Sequence, residues 1–337
     1  SATTRQLLRA IIESDPALQV VGEAQDGAEA VELVVSLTPD VVIMDVHMPV
    51  RDGLEATKEI MMRAPTPIII VSTAKHYRDI EISLSATQAG AVLMLAKPAG
   101  PGSPHYADDA AELIAMTKAL AQVKVVRRWT HTHEPSIIST REPTPGSFNI
   151  VAMAASTGGP AALRRILLDL PASFAVPVVI VQHMAHGFMA GFAQWLGANS
   201  AMPVRMCKHG QKLEPGRVYV APDDKHLGFS NDRTIVLSDA PPINRFRPSA
   251  DYLFSSVAKT YGARCTAVIC SGMGVDGAHG LEQAHKAGTF VIAQDEASSV
   301  VYGMAQEAVK RNAVDVILPI GKIGSKLNEL IRASAHA

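Results

Sequence analysis

The fold of the second half of the chain is decided by one segment, residues 148–160, which reads FNIVAMAASTGGP. Its apolar run at 148–154 predicts a buried strand, because the run is short and is followed by residues that favour turns. Gly158 and Gly159 predict a sharp turn, and Pro160 suits the first turn of a helix. A strand that passes through a tight turn into a helix is typical of a parallel α/β sheet.

The same alternation of apolar runs and helical patterns continues through residues 147–337. We expect further strands at 176–182, 217–221, 267–270, 289–293 and 316–318, and a hairpin-like stretch at 218–237. Most of these runs are separated by helical patterns, which predicts a second-half domain with a doubly wound, Rossmann-like sheet.

Residues 1–123 show this alternation as well. We expect strands at 18–23, 41–45, 68–72 and 91–95, and helices at 27–37 and 53–63. Residues 124–146 contain prolines and charged residues without apolar periodicity, which is typical of a linker. The sequence therefore predicts two doubly wound parallel-sheet domains of the α/β class, of which the first is flavodoxin-like.

The composition limits the possible functions. The 337 residues are 47% hydrophobic with a formal net charge of -1, so the chain lacks the overall basic character that attracts nucleic acid. Its three cysteines have no metal-ligand spacing, and Cys265 and Cys270, which flank an apolar run, indicate buried thiols. No apolar run reaches the roughly 18–20 residues that cross a bilayer, and no secretory signal is recognisable. We expect a cytoplasmic protein that neither inserts into membranes nor binds nucleic acid.

Three reactive side chains stand where predicted strands of the first domain end. Asp45 closes the run at 41–45, Ser72 closes the run at 68–72, and Lys97 follows the run at 91–95. The carboxyl ends of parallel strands meet at one edge of the sheet, so we expect these groups to converge. A carboxylate can attack a phosphoryl group, a hydroxyl can bind the product, and a lysine can neutralise its charge. Any one of them alone would equally suit a strand cap or a surface position.

The segments Asp45-Val46-His47-Met48-Pro49 and Lys97-Pro98, with Ser72 between them, resemble the response-regulator receiver family. The resemblance implies that Asp45 is the phosphoacceptor, Ser72 the switch hydroxyl and Lys97 the phosphate-contacting cation, with a chemotaxis histidine kinase as phosphodonor. Receivers also carry two acidic residues after their first strand, which hold Mg²⁺. Residues 1–5 resemble the segment that follows this pair, so we expect an incomplete receiver. Asp45 would be its only remaining metal ligand, and Mg²⁺ would support phosphorylation once the missing strand is restored.

The strand ends of the second domain supply a nucleophile, a base and an orienting acid. Ser156 follows the strand at 148–154 and His183 follows the run at 176–182, so their side chains are expected to be neighbours. Asp276 lies in a glycine-rich segment after the run at 267–270, from which it could fix the imidazole tautomer. The backbone amides of Met273 and Thr157 are candidates for binding an oxyanion or the substrate.

Each of these assignments has an alternative. The segment after Ser156 would also suit an anion-binding loop or a plain turn, although the G-x-G-x-x-G spacing and a P-loop lysine are absent. His183 would suit a structural role at a strand end, and His186 is a weaker rival for the base. Asp276 would suit an Asx turn or a helix N-cap.

Several segments of the second domain, in the same order, resemble the chemotaxis protein-glutamate methylesterase family. They include Ala155-Ser156-Thr157-Gly158-Gly159-Pro160, Gln182-His183-Met184, Arg247-Pro248-Ser249, Gly272-Met273-Gly274 and Asp276-Gly277-Ala278. The resemblance implies a serine hydrolase in which Ser156 is the nucleophile, His183 the general base and Asp276 its orienter, with no cofactor for hydrolysis. The chain departs from the family at Ala154 and Ser271, where Gly and Thr are common.

The resemblance also implies a substrate and a pathway. The expected reaction is hydrolysis of glutamate γ-methyl esters on methyl-accepting chemoreceptors, controlled by receiver phosphorylation, together with deamidation of specific receptor glutamines. The alternatives are a methylesterase-like hydrolase and a non-catalytic adaptor, each serving another sensory pathway. A serine-directed probe of Ser156 would separate an enzyme from an adaptor, and methyl release from several receptors would separate the two hydrolases.

Overall fold

The computed structural model describes residues 1–72, 84–85, 93–122, 136–137 and 148–335. The chain divides into two compact units, Ser1–Trp129 and Thr130–Ala337. Most of the expected linker at 124–146 lies outside the described residues, as do positions 91–92 of one expected strand. The expected domain boundaries, 1–123, 124–146 and 147–337, therefore stay predictions.

The first unit contains a parallel sheet with helices between its strands. The strands are β1 (Val42–Asp45), β2 (Ile68–Ser72) and β3 (Leu93–Ala96). The helices are α1 (Ala2–Glu13), α2 (Gly27–Leu37), α3 (Gly53–Arg63) and α4 (Tyr106–Ala121). The described strands pair in parallel in the order β1-β2-β3. Every side chain of β2 is buried, as expected for a strand that is covered on both faces.

Aspartate caps fix the starts of α2 and α3. The side chain of Asp26 accepts hydrogen bonds from the amides of Ala28 and Glu29, and that of Asp52 accepts one from the amide of Glu55. These bonds satisfy donors that the first turn of a helix leaves without partners. The bounds of both helices confirm the predictions at 27–37 and 53–63.

The strand predicted at 18–23 is wrong. These residues form no ladder with any described strand, and Val21 is exposed. A strand requires a neighbour that exchanges backbone hydrogen bonds with it, and an apolar pattern alone does not supply one. β1 has its described partner, β2, on one side only.

The second unit contains ten strands and six helices among the described residues. The strands are β4 (Ser136–Ile137), β5 (Ile150–Ala155), β6 (Val178–Gln182), β7 (Val204–Met206), β8 (Val218–Val220), β9 (His226–Phe229), β10 (Ile235–Ser238), β11 (Cys265–Ile269), β12 (Phe290–Gln294) and β13 (Val316–Leu318). The helices are α5 (Gly159–Leu168), α6 (Met189–Ala198), α7 (Ala250–Thr260), α8 (Ala278–Lys286), α9 (Met304–Lys310) and α10 (Ile320–Ala335).

Eight of these strands form one sheet in the order β4-β13-β12-β11-β5-β6-β8-β7. All neighbours pair in parallel except β4, which is antiparallel to β13. β5, β6 and β11 are buried along their whole lengths, so both faces of the sheet are covered. This confirms the predicted doubly wound α/β architecture.

The strand order reverses beside β5, which places the functional edge of the sheet. The chain passes from β5 to β6 on one side and returns later to β11 on the other side. In open parallel sheets such a reversal opens a crevice at the carboxyl ends of the strands. The segments that follow β5, β6 and β11 therefore meet at one edge.

The strands of this unit differ from the predictions in three places. β4 lies inside the expected linker, and β7 is a three-residue strand that the sequence does not predict. In the stretch predicted as a hairpin at 218–237, β8 belongs to the large sheet, and the antiparallel pair is β9 with β10. Strands of two or three residues carry too little apolar pattern to be recognised.

The three cysteines, Cys207, Cys265 and Cys270, are buried and form no disulfide. Burial raises the pKa of Cys207 and Cys270 to about 12, so both are neutral thiols at physiological pH. The interpretation of Cys265 and Cys270 as buried thiols is confirmed, and Cys207 is buried as well. In the described part of the chain, no helix is both long and apolar enough to cross a membrane.

Candidate active site

Ser156 and His183 occupy the first positions beyond two neighbouring strands. The last residues of β5 and β6, Ala155 and Gln182, are register partners, and the amide of His183 donates to the carbonyl of Ala155 over 3.0 Å. Ser156 follows β5 directly and His183 follows β6 directly. The sheet therefore places these two residues at neighbouring strand ends. The pairing brings the two strand ends together, and the roles expected of Ser156 and His183 stay predictions.

The imidazole of His183 is held in one tautomer by Asp276. Nε2 lies 2.8 Å from Oδ2 of Asp276, and both side chains are almost completely buried. An ionised carboxylate only accepts hydrogen bonds, so Nε2 must carry a proton, and in the neutral ring the lone pair is then on Nδ1. Nδ1 is buried and has no hydrogen-bond partner in the described part of the chain. The basic nitrogen of His183 is therefore free, and the Ser156 hydroxyl is not bonded to it in this conformation.

Five donors surround the carboxylate of Asp276. Two are the side chains of His183 and Ser249, at 2.8 and 2.7 Å. The amides of Ala250 and Asp251, the first residues of α7, donate over 2.7 and 3.3 Å, and the amide group of Asn244 donates over 3.3 Å. Burial disfavours the charged form, but these bonds outweigh it, and the pKa of Asp276 is lowered from its ordinary value. The helix N-terminus favours the same negative charge.

Loop residues 241–249 reach the His183–Asp276 pair from one side. The ring of Phe246 stacks on the imidazole of His183, with centroids 3.7 Å apart and planes 3° from parallel. Asn244 bridges two carboxylates, because its amide group also donates to Oδ2 of Asp251 over 2.8 Å. The backbone at Asn244 and Arg245 has φ values of +52° and +71°, so the chain turns sharply just before Phe246.

Gln182 and Ser271 hold the segments that carry Ser156 and His183. The amide group of Gln182 donates to the carbonyls of Ser156 and His183 over 2.9 and 2.7 Å, so one side chain links both strand ends. Ser271 accepts the amide hydrogen of Ser156 through its carbonyl and donates from its hydroxyl to the carbonyl of Thr157. These bonds fix the backbone on both sides of the candidate nucleophile.

The segment after β11 packs directly against Ser156. A Cβ atom at Gly272 would lie 2.8 Å from Cβ of Ser156 and 2.2 Å from the sulfur of Met304, so only glycine fits there. The amides of Met273 and Thr157 donate to no acceptor in the described part of the chain. Both amides can therefore donate to a bound group, and that of Thr157 follows Ser156 directly in the chain.

His186, the rival base, lies beside a different carboxylate. Asp223 interacts with His186 and accepts hydrogen bonds from the amides of Gly187 and Met189, at the start of α6. Burial raises the pKa of Asp223 despite these bonds. Asp276 pairs with His183, so of the two histidines it is His183 that has the geometry of a catalytic base.

Two protein-family models match the chain. The model for the CheB methylesterase matches residues 151–327, and the model for the response regulator receiver domain matches residues 1–104. The chain belongs to the CheB methylesterase family. Its first unit is the receiver domain that the sequence predicts, and the predicted enzyme class, a protein-glutamate methylesterase, is that of the family.

Similar proteins support the same family over the whole length of the methylesterase. A protein-glutamate methylesterase/protein-glutamine glutaminase of Myxococcus xanthus is 49% identical, with 99% of this chain and 96% of that protein aligned. A protein of the same name from Anaeromyxobacter dehalogenans is 47% identical, with 96% and 95% aligned. The crystal structure of the Thermotoga maritima CheB methylesterase catalytic domain matches with a TM-score of 0.53 and 38% identity. It covers 55% of this chain and 99% of that domain.

In the receiver unit of the methylesterase, the three predicted residues lie at adjacent strand ends. Asp45 and Ser72 close β1 and β2, and the amide of Lys97 donates to the carbonyl of Ser72 just after β3. Nζ of Lys97 lies 2.6 Å from Oδ2 of Asp45. The hydroxyl of Ser72 is buried without a hydrogen-bond partner among the described residues. The three groups converge as the sequence predicts.

The residues around Asp45 do not form a Mg²⁺ site by themselves. One oxygen of Asp45 pairs with Lys97 and the other accepts the amide hydrogen of His47 over 3.2 Å. No cluster of three or more His, Cys, Asp or Glu side chains that could hold a metal occurs among the residues that the structure describes. We therefore assign no step of phosphoryl transfer to a metal held by these residues.

Sequence reasoning missed the residues that support Asp276 and His183. Asn244, Phe246 and Ser249 belong to a loop without periodicity, and their partners lie on other parts of the chain. Arg247-Pro248-Ser249 contributes to the family resemblance, but the sequence does not show that Ser249 caps α7 and binds Asp276. The available signal was a serine just before an amphipathic helix, which is a typical N-cap pattern.

Proposed function

We propose that this methylesterase hydrolyses γ-methyl esters of glutamate residues on methyl-accepting chemoreceptors, with Ser156 as nucleophile, His183 as general base and Asp276 as the group that orients His183. The proposal is carried by one observation. His183 is bonded to Asp276 through Nε2, and its free Nδ1 lies at the strand end next to that of Ser156. A nucleophile, a base and an orienting carboxylate in this order are the parts of an acyl-transfer site.

The first half of the reaction forms an acyl-enzyme. Nδ1 of His183 takes the proton of the Ser156 hydroxyl as Oγ attacks the ester carbonyl carbon. The carboxylate of Asp276 stabilises the imidazolium that results. The carbon–oxygen bond to the methoxy group then breaks, and His183 returns the proton so that methanol leaves. The product of this step is a glutamyl ester of Ser156.

The second half repeats the same proton transfers with water. His183 removes a proton from a water molecule, whose oxygen attacks the acyl carbon, and then protonates Oγ as the bond to Ser156 breaks. The products are a free glutamate side chain and the original enzyme. The free amides of Met273 and Thr157 are proposed to donate to the carbonyl oxygen while it carries negative charge in both halves.

The same site would deamidate glutamine. Its side-chain carbonyl presents the same carbon to Ser156, and the leaving group is ammonia instead of methanol. The relatives from Myxococcus xanthus and Anaeromyxobacter dehalogenans are named as both methylesterase and glutaminase, which supports this second activity. Both reactions need the same three residues and no cofactor.

Release of radiolabelled methanol from membranes that contain methyl-labelled chemoreceptors tests the function. The unchanged chain should release methanol, and Ser156→Ala should reduce the rate by roughly 10³-fold or more. A fluorophosphonate probe should label the unchanged chain and fail to label Ser156→Ala. Equal rates for both proteins would contradict the role of Ser156.

The same measurements separate the alternatives. A non-catalytic adaptor would neither release methanol nor react with the probe. A methylesterase-like hydrolase of another sensory pathway would react with the probe but release no methanol from any chemoreceptor tested. We place the chain in the cytoplasm, because the glutamates of its proposed substrates lie on the cytoplasmic helices of receptors.

We propose that phosphorylation of Asp45 by a chemotaxis histidine kinase controls this activity, with Lys97 and Ser72 binding the phosphoryl oxygens. The support is the receiver family of residues 1–104 and the convergence of these three side chains. Mg²⁺ would be required as in other receivers, with further ligands beyond Asp45. Methanol release by the full chain should change with a phosphodonor, whereas residues 147–337 alone should not respond.

A further inference from the structure

A second histidine of the catalytic unit, His226, is completely buried and has no role in the proposed reaction. It lies in β9, and its ring stacks on Tyr252 of α7 with centroids 4.6 Å apart. Both ring nitrogens have partners. Nδ1 lies 3.2 Å from the amide nitrogen of Ser249, and Nε2 lies 3.1 Å from the carbonyl oxygen of Pro241.

These two contacts define the form of the ring. The amide of Ser249 can only donate, so Nδ1 must accept and carry no proton. The carbonyl of Pro241 can only accept, so Nε2 must carry the proton. His226 is therefore a neutral imidazole in a single tautomer, and no other tautomer or charge state would satisfy both contacts.

The two partners of His226 are the two ends of loop 241–249. Between them lie Asn244 and Phe246, which contact Asp276 and His183, and Ser249 itself donates to Asp276 from its hydroxyl. The ring of His226 thus binds both ends of loop 241–249. The same loop donates hydrogen bonds to Asp276 and stacks on His183. A shift of either end would move contacts of the catalytic pair.

We propose that His226 is a positioning residue for hydrolysis, which acts by holding loop 241–249 so that Asp276 and His183 keep their geometry. This proposal rests on the roles proposed above for Ser156, His183 and Asp276. A small displacement of groups around a reacting centre can lower a rate by about 10²-fold, because the aligned geometry is lost. The effect should therefore appear in kcat, while substrate binding changes little.

The test compares variants of the full chain in the methanol-release assay. His226→Phe keeps a ring for Tyr252 but removes both hydrogen bonds, and we expect kcat to fall roughly 10- to 100-fold with KM changed less than about threefold. His226→Asn places an acceptor where Nδ1 was, so it keeps the bond to Ser249 and should recover much of the lost kcat.

His209→Phe is the control, because Nδ1 of His209 also accepts a backbone amide hydrogen, that of Leu237, and no hydrogen bond joins His209 to loop 241–249 in the described part of the chain. Its kcat should stay within about twofold of the unchanged chain. A spectroscopic readout completes the test. In protein labelled with ¹⁵N-histidine, the downfield proton on Nε2 of His183 should shift or broaden in His226→Phe and remain in His209→Phe.

Two results would overturn the proposal. One is a folded His226→Phe protein whose kcat lies within about twofold of the unchanged chain. The other is a lower kcat with an unchanged His183 resonance, which would indicate a loss unrelated to the catalytic pair. If His226→Phe does not fold, His226→Asn decides, because it still lacks the bond to Pro241. A residual loss of about threefold or more in kcat with a shifted His183 resonance supports the proposal, and values equal to those of the unchanged chain refute it. Activity that survives Ser156→Ala would instead refute the proposed function.

Discussion

Two aspartates, Asp45 in the receiver unit and Asp276 in the catalytic unit, stand at the carboxyl edges of parallel sheets but have different surroundings. The side chain of Asp45 is 14% exposed, and its partners are Nζ of Lys97 and one amide of its own loop. The side chain of Asp276 is 0% exposed and accepts hydrogen bonds from five donors. Aspartates at the same topological position therefore differ in solvent exposure and in the number of hydrogen-bond donors around them.

The difference shows what each carboxylate can do. Every direction around Asp276 is taken by a donor, so this group stays ionised and immobile and can only orient and stabilise its neighbour. Asp45 keeps solvent access and, among the residues that the structure describes, has one cation at one oxygen, so a phosphoryl donor can approach it. The two carboxylates, for which an orienting and a phosphoacceptor role are proposed, thus differ in the number of donors around them.

The largest effect that this comparison predicts is on the activity of Asp276→Asn. An asparagine can turn its N–H₂ group toward Nε2 of His183, which would move the imidazole proton to Nδ1 and remove the base. We expect kcat to fall about 10³- to 10⁴-fold, as for other changes that leave a catalytic histidine in the wrong tautomer. Methanol release at saturating receptor measures it.

Asp239→Asn is the control for this variant. Asp239 also follows a strand, β10, but it is exposed and pairs with Lys225 at the surface. Its activity should match that of the unchanged chain. A loss of less than about tenfold in Asp276→Asn would mean that His183 keeps its tautomer without the carboxylate.

The next effect concerns stability and its dependence on pH. The pKa of Asp276 is lowered in the folded state, so its contribution is present above the unfolded value and is lost as the pH falls through the folded value. We expect Asp276→Asn to lower the free energy of unfolding by about 3 kcal/mol at pH 7, because several bonds to a charged group are weakened. This difference should be constant above about pH 5 and shrink below about pH 4.

Hydrogen exchange of the β5 amides across this pH range measures the difference in the catalytic unit alone. Such a local probe is needed because a chain of two units need not unfold in one step. A difference that grows as the pH falls from neutral to about 4, and is constant below that, would show that the pKa of Asp276 is raised instead of lowered.

A smaller effect is expected at Ser249, which connects the helix α7 to Asp276. Ser249→Ala removes an N-cap and one hydrogen bond to the carboxylate, so we expect a loss of about 1–2 kcal/mol of stability and roughly a tenfold lower kcat. Asp26→Ala removes the cap of α2 in the receiver unit and should cost about 1 kcal/mol there without changing kcat. An unchanged kcat in Ser249→Ala would show that the remaining donors suffice to hold Asp276.

The sequence predicts the reactive residues better than their supports, and the reason is physical. Ser156, His183 and Lys97 follow strands with strong apolar patterns, and Asp45 ends such a strand. Topology alone brings strand ends together. Loop 241–249 has no such pattern, so the stacking of Phe246 on His183 cannot be read from spacing. His226 looks like any histidine in a short strand, because its two partners come from distant parts of the chain.

Errors in the fold have a related origin. The run at 18–23 has the apolar content of a strand, but it forms no ladder with a described neighbour. Conversely, β4 pairs with β13 although two residues carry no recognisable pattern. Backbone pairing depends on which segments become neighbours, and local pattern reports burial more reliably than pairing.

The smallest effect is expected for the stability of Asp45→Asn. The pair with Lys97 is partly exposed, and such pairs contribute about 0–1 kcal/mol, so the receiver unit should lose less than about 1 kcal/mol of unfolding free energy. Hydrogen exchange of the β2 amides measures it, with Lys118→Met, which breaks the partly exposed pair with Asp15, as the control. A loss as large as that of Asp276→Asn would contradict the comparison, because Asp45 would then be a structural acceptor and not a carboxylate kept free to react.

Incorporation of phosphate should nevertheless be abolished in Asp45→Asn, since the amide cannot form the acyl phosphate. The substitution should therefore remove the reactivity of this residue with little effect on stability.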